Sequence, residues 1–217
     1  MDKEEMLSSV ESYNYKYARE MYKIIEAMTL IDRKFFVKNI DEAYLNTALS
    51  IGEGQTISQP STVARMLVMA ELKKGERVLE VGAGSGWNAC LIAYLVYPGK
   101  VESIDRISVL VDRAEMNMKD LKESNKDLKL KIDFKARDAF SLKKGKYDKI
   151  IITAGILSKE QEKRVEIMAK DLLNENGRLL CPYTEGPLLV YDKKKGKLEK
   201  SKSKEQYVFV PLLEGEK

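Results

Sequence analysis

The run Glu80-Val81-Gly82-Ala83-Gly84-Ser85-Gly86 constrains this chain more than any other stretch. Ahead of it, Arg77-Val78-Leu79 reads as a short buried strand, and behind it Trp87 to Val96 is apolar enough for a core-facing helix. Strand, glycine loop and helix in succession bring backbone N–H groups and a helix N-terminus against a nucleotide-like ligand. Glycine is required where the backbone turns tightly or meets a ligand without a Cβ in the way. The spacing discriminates further. A dinucleotide fingerprint places glycine three residues after its second one, and that position here is Trp87. What remains is G-x-G-x-G behind an acidic residue, a pattern that also fits a ligand-free turn.

A second carboxylate narrows the choice. Lys100 to Asp105 predicts the next strand, ending in an acid about 20 residues beyond the glycines, where α/β nucleotide folds hold a ribose. An Asp at a strand end also starts turns and caps helices. Farther on, Val109 to Leu121 has helical spacing, Leu128 to Phe134 alternates as a strand, and Arg137-Asp138-Ala139 follows it. Tyr147 to Thr153 reads as a central strand, and Lys159 to Leu173 as a helix. Asn176-Gly177 reads as a turn into strand Arg178 to Pro182. Leu188 to Tyr191 and Gln206 to Leu212 read as antiparallel strands around a solvated lysine-rich hairpin tip, Asp192 to Lys204.

Strands alternating with helices predict an α/β, doubly wound, mostly parallel sheet with an antiparallel C-terminal edge. Before it, Ser8 to Asp32 predicts one helix, with Tyr13, Tyr17, Met21, Ile24, Ile25 and Met28 on a core-packing face. Residues 1–75 thus form an N-terminal helical extension and 76–217 the sheet domain. Asp105, Asp138 and Thr153 end predicted strands, so they converge on the glycine loop.

Composition excludes several chemistries. The 217 residues contain no histidine, which removes Ser-His-Asp and Cys-His catalysis and histidine zinc sites. No metal is expected. A net charge of +4, spread along the chain, gives no reason to expect a nucleic-acid partner. Cys90 and Cys181 lie in separate apolar runs and read as buried free thiols of a reducing compartment. The charged start, Met1-Asp2-Lys3-Glu4-Glu5, is unlike a signal peptide, and no apolar run spans a bilayer. A cytoplasmic location without membrane attachment is the expectation.

One further segment is distinctive: Gly52-Glu53-Gly54-Gln55-Thr56-Ile57-Ser58-Gln59-Pro60, ahead of a helix Val63 to Leu72 that Ser61-Thr62 caps and Lys73-Lys74-Gly75 closes. Read as G-x-G-x-T-I-S-x-P, it resembles the loop that precedes the donor-binding core in the protein-L-isoaspartate (D-aspartate) O-methyltransferase family. Tyr207 to Leu212 resembles that family's near-terminal F-V-P-L strand. The resemblance runs from about Ile31 to the end of the chain.

It implies a Rossmann-like, S-adenosylmethionine-dependent methyltransferase fold. The implied co-substrate is S-adenosyl-L-methionine and the implied acceptor is the free carboxylate of an L-isoaspartyl residue in a damaged protein or peptide. On the matching positions, Ser58 is the active-site hydroxyl, with Thr56, Ile57 and Gln59 lining the donor. Glu80, Gly82, Gly84, Ser85 and Gly86 form the donor loop. Asp105 and Arg106 take the ribose position, Asp138 and Ala139 the adenine position. Val208, Val210, Pro211 and Leu212 border the acceptor. The chain departs from the family at Arg137-Asp138-Ala139, usually Gly-Asp-Gly, and at Ala154 to Ser158, usually an Ala-Ala-Pro-type turn.

Other readings keep a place. A methyltransferase of RNA or a small molecule would share the glycine loop but calls for aromatic and basic residues interleaved near the donor, which the sequence does not show. A non-enzymatic binding module would tolerate loss of Ser58, Glu80 or Asp105, and all are present. A nicotinamide-dependent enzyme is disfavoured by Trp87. Homo-oligomerisation stays open.

Overall fold

The computed structural model describes residues 1–143 and 145–217. Two helices open the chain. α1 (Lys3–Tyr13) begins at a reciprocal capping box in which the Glu5 N–H donates to the Asp2 carboxylate and the Asp2 N–H donates to the Glu5 carboxylate, both at 2.9 Å. α2 (Ala18–Leu30) follows a 3-10 turn at Tyr15–Tyr17. The single helix expected from Ser8 to Asp32 is therefore broken. The break falls at Asn14, a fully buried residue whose amide donates to Val10 O at 3.0 Å and to Ser61 O at 3.3 Å. A side chain that bonds the backbone in this way competes with helix propagation.

β1 (Leu49–Gly52) and β2 (Gln55–Ile57) form a short antiparallel hairpin, and α3 (Pro60–Ala70) follows. Ser61-Thr62 does not cap this helix. Pro60 starts it, its ring presetting the helical φ at a position that needs no N–H. Ser61 is engaged elsewhere: its N–H donates to Asn46 Oδ1 at 3.1 Å and its hydroxyl accepts from Asn46 Nδ2 at 2.7 Å. Glu71 adopts a left-handed conformation and ends α3 before Lys73-Lys74-Gly75 is reached.

The sheet domain then runs β3 (Arg77–Val81), α4 (Trp87–Val96), β4 (Lys100–Asp105), α5 (Ser108–Ser124), β5 (Ile132–Ala136), β6 (Tyr147–Ile152), α6 (Lys159–Leu172) and β7 (Leu173–Pro182). β8 (Glu185–Gly186), β9 (Leu188–Lys194), β10 (Lys197–Lys202) and β11 (Tyr207–Val208) complete it. Among the described residues seven strands form one sheet in the order β10-β9-β7-β6-β3-β4-β5. β7, β6, β3, β4 and β5 are parallel neighbours, while β9 and β10 add an antiparallel edge. The α/β class, mostly parallel with an antiparallel edge, is the one the alternating pattern predicts.

Four boundaries differ from expectation. β5 begins at Ile132, not Leu128; Leu128 and Leu130 are buried without pairing, because alternation reports which side chains face the core, not which backbones bond. Asn176-Gly177 lies inside β7, where Asn176 takes a φ of 63° and the pairing with β6 jumps from Leu173 to Arg178. The turn signal there produces an irregularity in a strand. The lysine-rich run is mostly strand: β9 and β10 extend into it, leaving Lys195-Gly196 between them. In the expected strand Gln206 to Leu212 only Tyr207–Val208 pair, with β8, and Pro211, which lacks an N–H, makes an isolated bridge to Gly155.

On one face of the sheet Val78, Val101, Ile151 and Leu180 pack with α2, α3, α4 and α5. On the other, Leu79, Ile150 and Leu179 meet Val165, Met168 and Leu172 of α6. Val10, Met21, Met28 and Phe36 belong to the first cluster, so the helices before residue 75 share a core with the sheet. Both cysteines are buried and unbridged. Among the described residues no helix is long and apolar enough to cross a membrane, and no group of acidic or cysteine side chains is placed to hold a metal ion.

Candidate active site

The C-terminal ends of β3, β4 and β6 meet beneath the glycine loop. Gly82 takes a φ of 98°, and a Cβ there would stand 2.3 Å from Thr153 Oγ1. That hydroxyl donates to Gly82 O at 2.8 Å, so β6 holds the loop from below. Gly86, at a φ of 86°, brings the loop against α5, where a Cβ would meet Ala114 Cβ at 3.0 Å. Its bareness serves helix packing.

The two acids play different parts. Asp105 ends β4, and its carboxylate oxygens accept one N–H each, from Gly84 and from Ile107, both at 3.0 Å. Burial raises its pKa, against the lowering effect of those N–H groups. Each oxygen retains lone pairs for a further donor. Glu80 is fully buried and lies under the loop, off the cavity wall. Its carboxylate accepts from Asn88 Nδ2 at 2.7 Å and from the Ser103 hydroxyl, tying β3 to α4 and β4. Burial pushes its pKa up to about 7 despite both bonds.

A cavity of about 670 Å³ opens above this floor, within the range of roughly 300–1,000 Å³ usual for small-molecule sites. Thr56, Ile57, Ser58 and Gln59 form one wall and Gly82, Gly84, Ser85 and Asp105 face them. Val208 and Val210 stand at the open side, where Val208 is 82% exposed. Thr153 lines the cavity as the strand-end pattern predicts, and Tyr13 lines it unexpectedly. Tyr13 ends α1 and is 47% exposed, so it is no part of the core face on which sequence spacing put it.

Arg106, Ala139, Pro211 and Leu212 line a separate cavity of about 50 Å³, which also touches Gly82 and Asp105. Pro211 and Leu212 therefore border the side expected for adenine, not the mouth beside Val208. Asp138 lines neither cavity. Its Oδ1 accepts from the Phe140 N–H at 2.9 Å and its Oδ2 from the Gly215 N–H at 3.0 Å. Arg106 Nε donates to Gly215 O at 2.7 Å, and the Lys217 N–H to Arg106 O at 2.7 Å. Residues Gly215 to Lys217 thus lie fastened across the Arg106 and Asp138 edge. Nothing in the residue types Leu213 to Lys217 signals this, because most of the bonds engage main-chain atoms.

The arrangement offers a half-open cleft with backbone N–H groups on a glycine loop, a buried acid at the second strand end and a hydroxyl loop opposite. A nucleoside with a charged tail fits those groups. The chain has no imidazole, and among the described residues no lysine or arginine lines this cavity.

A family model described as protein-L-isoaspartate(D-aspartate) O-methyltransferase matches residues 1–217, extending through the N-terminal helices where the motif resemblance had begun only near Ile31. A protein-L-isoaspartate O-methyltransferase of Alteromonas mediterranea is 40% identical over 181 residues, covering 81% of this chain and 79% of the relative. One of Ignicoccus hospitalis is 37% identical over 188 residues, covering 85% and 83%. A solved structure of a protein-L-isoaspartate O-methyltransferase from Plasmodium falciparum, in complex with S-adenosyl-L-homocysteine, shares the fold with a TM-score of 0.81 at 24% identity, over 98% of this chain and 99% of that one.

Proposed function

This chain belongs to the protein-L-isoaspartate(D-aspartate) O-methyltransferase family, and on that footing we propose that it transfers the methyl group of S-adenosylmethionine to the free carboxylate of L-isoaspartyl residues in damaged proteins. The observation that carries the reading is the cleft itself, with the Thr56–Gln59 wall facing the glycine loop and Asp105 across one cavity.

The acceptor explains the missing histidine. A carboxylate of ordinary pKa is already ionised at neutral pH, so its attack on an electrophilic methyl needs no general base. When bound, the donor supplies that methyl on a sulfonium. The protein's task is to hold the two reactants in line and exclude water, and orientation of this kind lowers barriers by several kcal/mol. Ser58 donates a hydrogen bond to the acceptor carboxylate and orients it. Gly84 and Ser85 approach the donor's charged tail, Asp105 and Arg106 its ribose, while Ala139 faces the base. Val208 and Val210 border the acceptor chain. Residues 1–75 act as the extension carrying the hydroxyl loop and 76–217 as the donor-binding core. Buried, unbridged thiols suit a cytoplasmic enzyme.

Labelled S-adenosylmethionine and two peptides that differ only in isoaspartyl or aspartyl linkage test this directly. Label is expected on the isoaspartyl peptide alone. Label on neither, with donor binding intact, would transfer the case to a methyltransferase of RNA or a small molecule.

A further inference from the structure

Four backbone carbonyls converge on one side chain behind the hydroxyl loop. Arg33 sits in a 3-10 turn, Arg33–Phe36, and is 1% exposed. Its Nη1 donates to Ala43 O at 2.7 Å and Leu45 O at 3.2 Å, and its Nη2 to Thr47 O at 3.0 Å and Ser58 O at 3.3 Å. No ion pair among the described residues includes it. Burial lowers its pKa to about 10, so it is charged at neutral pH.

A cation buried without a carboxylate is costly, and an apolar side chain of similar volume could occupy the same space. What the guanidinium offers instead is a rigid fork of donors that reaches several acceptors at once, which an ammonium on a flexible stem does not reproduce. Its other contact is to the donor side. The guanidinium lies over the Trp87 ring, 5.4 Å from its centre, and Trp87 is the first residue of α4, adjoining Gly86. The indole N–H donates to Ile31 O at 2.9 Å, which closes the connection back to the turn that carries Arg33. Arg33 does not line the cavity, whereas Thr47, Ser58 and Trp87 do.

We propose that Arg33 is a positioning residue for methyl transfer: by holding the Ser58 carbonyl while stacking on Trp87, it sets the hydroxyl loop in register with the donor loop. The inference rests on the reading that Ser58 orients the acceptor. An in-line transfer is sensitive to placement, since a shift of about 1 Å costs on the order of 100-fold in rate. A purely structural role would instead lower stability and leave the folded fraction fully active.

The test uses the full chain with Arg33→Lys and Arg33→Met, assayed where circular dichroism shows each folded and with saturating S-adenosylmethionine to stabilise the native state. Trp87, the chain's single tryptophan, reports S-adenosylhomocysteine binding. The expected result is donor affinity within about threefold of the parent, and kcat for the isoaspartyl peptide lowered about 10- to 100-fold. Combining Arg33→Lys with Ser58→Ala should give less than the product of the two losses, because both act through one contact. Unchanged kcat in folded Arg33→Lys, or fully multiplicative losses, overturns the proposal. Amide exchange separates it from the reaction assigned above. Even if the parent labels neither peptide, exchange at Ile57 to Gln59 should quicken in Arg33→Lys while Gly82 to Gly84 stays protected. Unchanged exchange at Ile57 to Gln59 overturns the proposal as well. Should Arg33→Met not fold, Arg33→Lys, which keeps the charge and most of the volume, carries every one of these measurements.

Discussion

The Gly84 N–H donates to the Asp105 carboxylate at 3.0 Å across 21 residues of sequence. This bond makes one unit of the glycine loop after β3 and the acid that ends β4. Gly82 and Ala83 reinforce it, donating to Ile104 O at 2.8 and 3.0 Å. The loop is held in shape by the neighbouring strand before any ligand arrives, so little of the binding free energy goes into ordering it.

Replacing Asp105 with Asn keeps the shape but turns one oxygen into a donor that faces the N–H of Gly84 or of Ile107. A buried donor left without an acceptor costs about 1–3 kcal/mol. S-adenosylhomocysteine affinity should fall roughly 5- to 150-fold by calorimetry. Affinity unchanged within twofold would remove Asp105 from the donor site.

Ser58→Ala removes a hydroxyl without touching the carbonyl that Arg33 holds. A hydrogen bond to a charged group contributes about 1.5–3 kcal/mol. Turnover of an isoaspartyl peptide should drop about 10- to 150-fold while donor affinity stays level. A parallel loss of both in steady-state and binding measurements would mean that Ser58 serves the donor instead.

Glu80 predicts a pH effect with a definite sign. Its pKa rises from near 4.5 unfolded to about 7 folded, chiefly through burial, so the native state holds a proton that the unfolded chain releases. Between pH 4.5 and 7 this group therefore makes stability fall as pH rises, by about 3 kcal/mol across the window, and adds no further slope above it. Glu80→Gln lacks that slope. Denaturant midpoints of the two proteins, compared from pH 4.5 to 8, should shift in favour of the variant up to about pH 7 and then run parallel. A constant difference throughout would show that folding leaves the Glu80 pKa at its unfolded value.

The segment from Leu213 to Lys217 covers the Asp138 edge. Ending the chain at Leu212 frees Asp138 Oδ2 and Arg106 Nε from Gly215. Donor association and release, followed by stopped-flow emission of Trp87, should both quicken several-fold. Rates unchanged by the truncation would mean that the segment packs beside the donor path and not across it.

Much of the molecule was legible in advance. Elements with regular apolar spacing are placed well, which is why β4 and α4 stand where the pattern puts them and why α6 misses by a single residue. Three of the misreadings share a cause. At Asn14, Ser61 and Asn176 a distant partner or strand overrode the local pattern: Asn14 meets Ser61 O, Ser61 meets Asn46, and Asn176 is carried within a strand. Tyr13 kept helical spacing with the core residues but lies at the end of α1, where the chain leaves the core.

By itself the sequence determined the order of strands and helices from β3 to β7, the donor loop and, through the nine residues Gly52 to Pro60, the family. Those features rest on side-chain type and spacing, which are written residue by residue. Only the tertiary structure decided that Arg33 gathers the carbonyls of Ala43, Leu45, Thr47 and Ser58, and that Gly215 meets Asp138. Such bonds end on backbone amides and carbonyls, which nearly every residue possesses. They leave no mark in the sequence, and the fold alone selects which of them face each other.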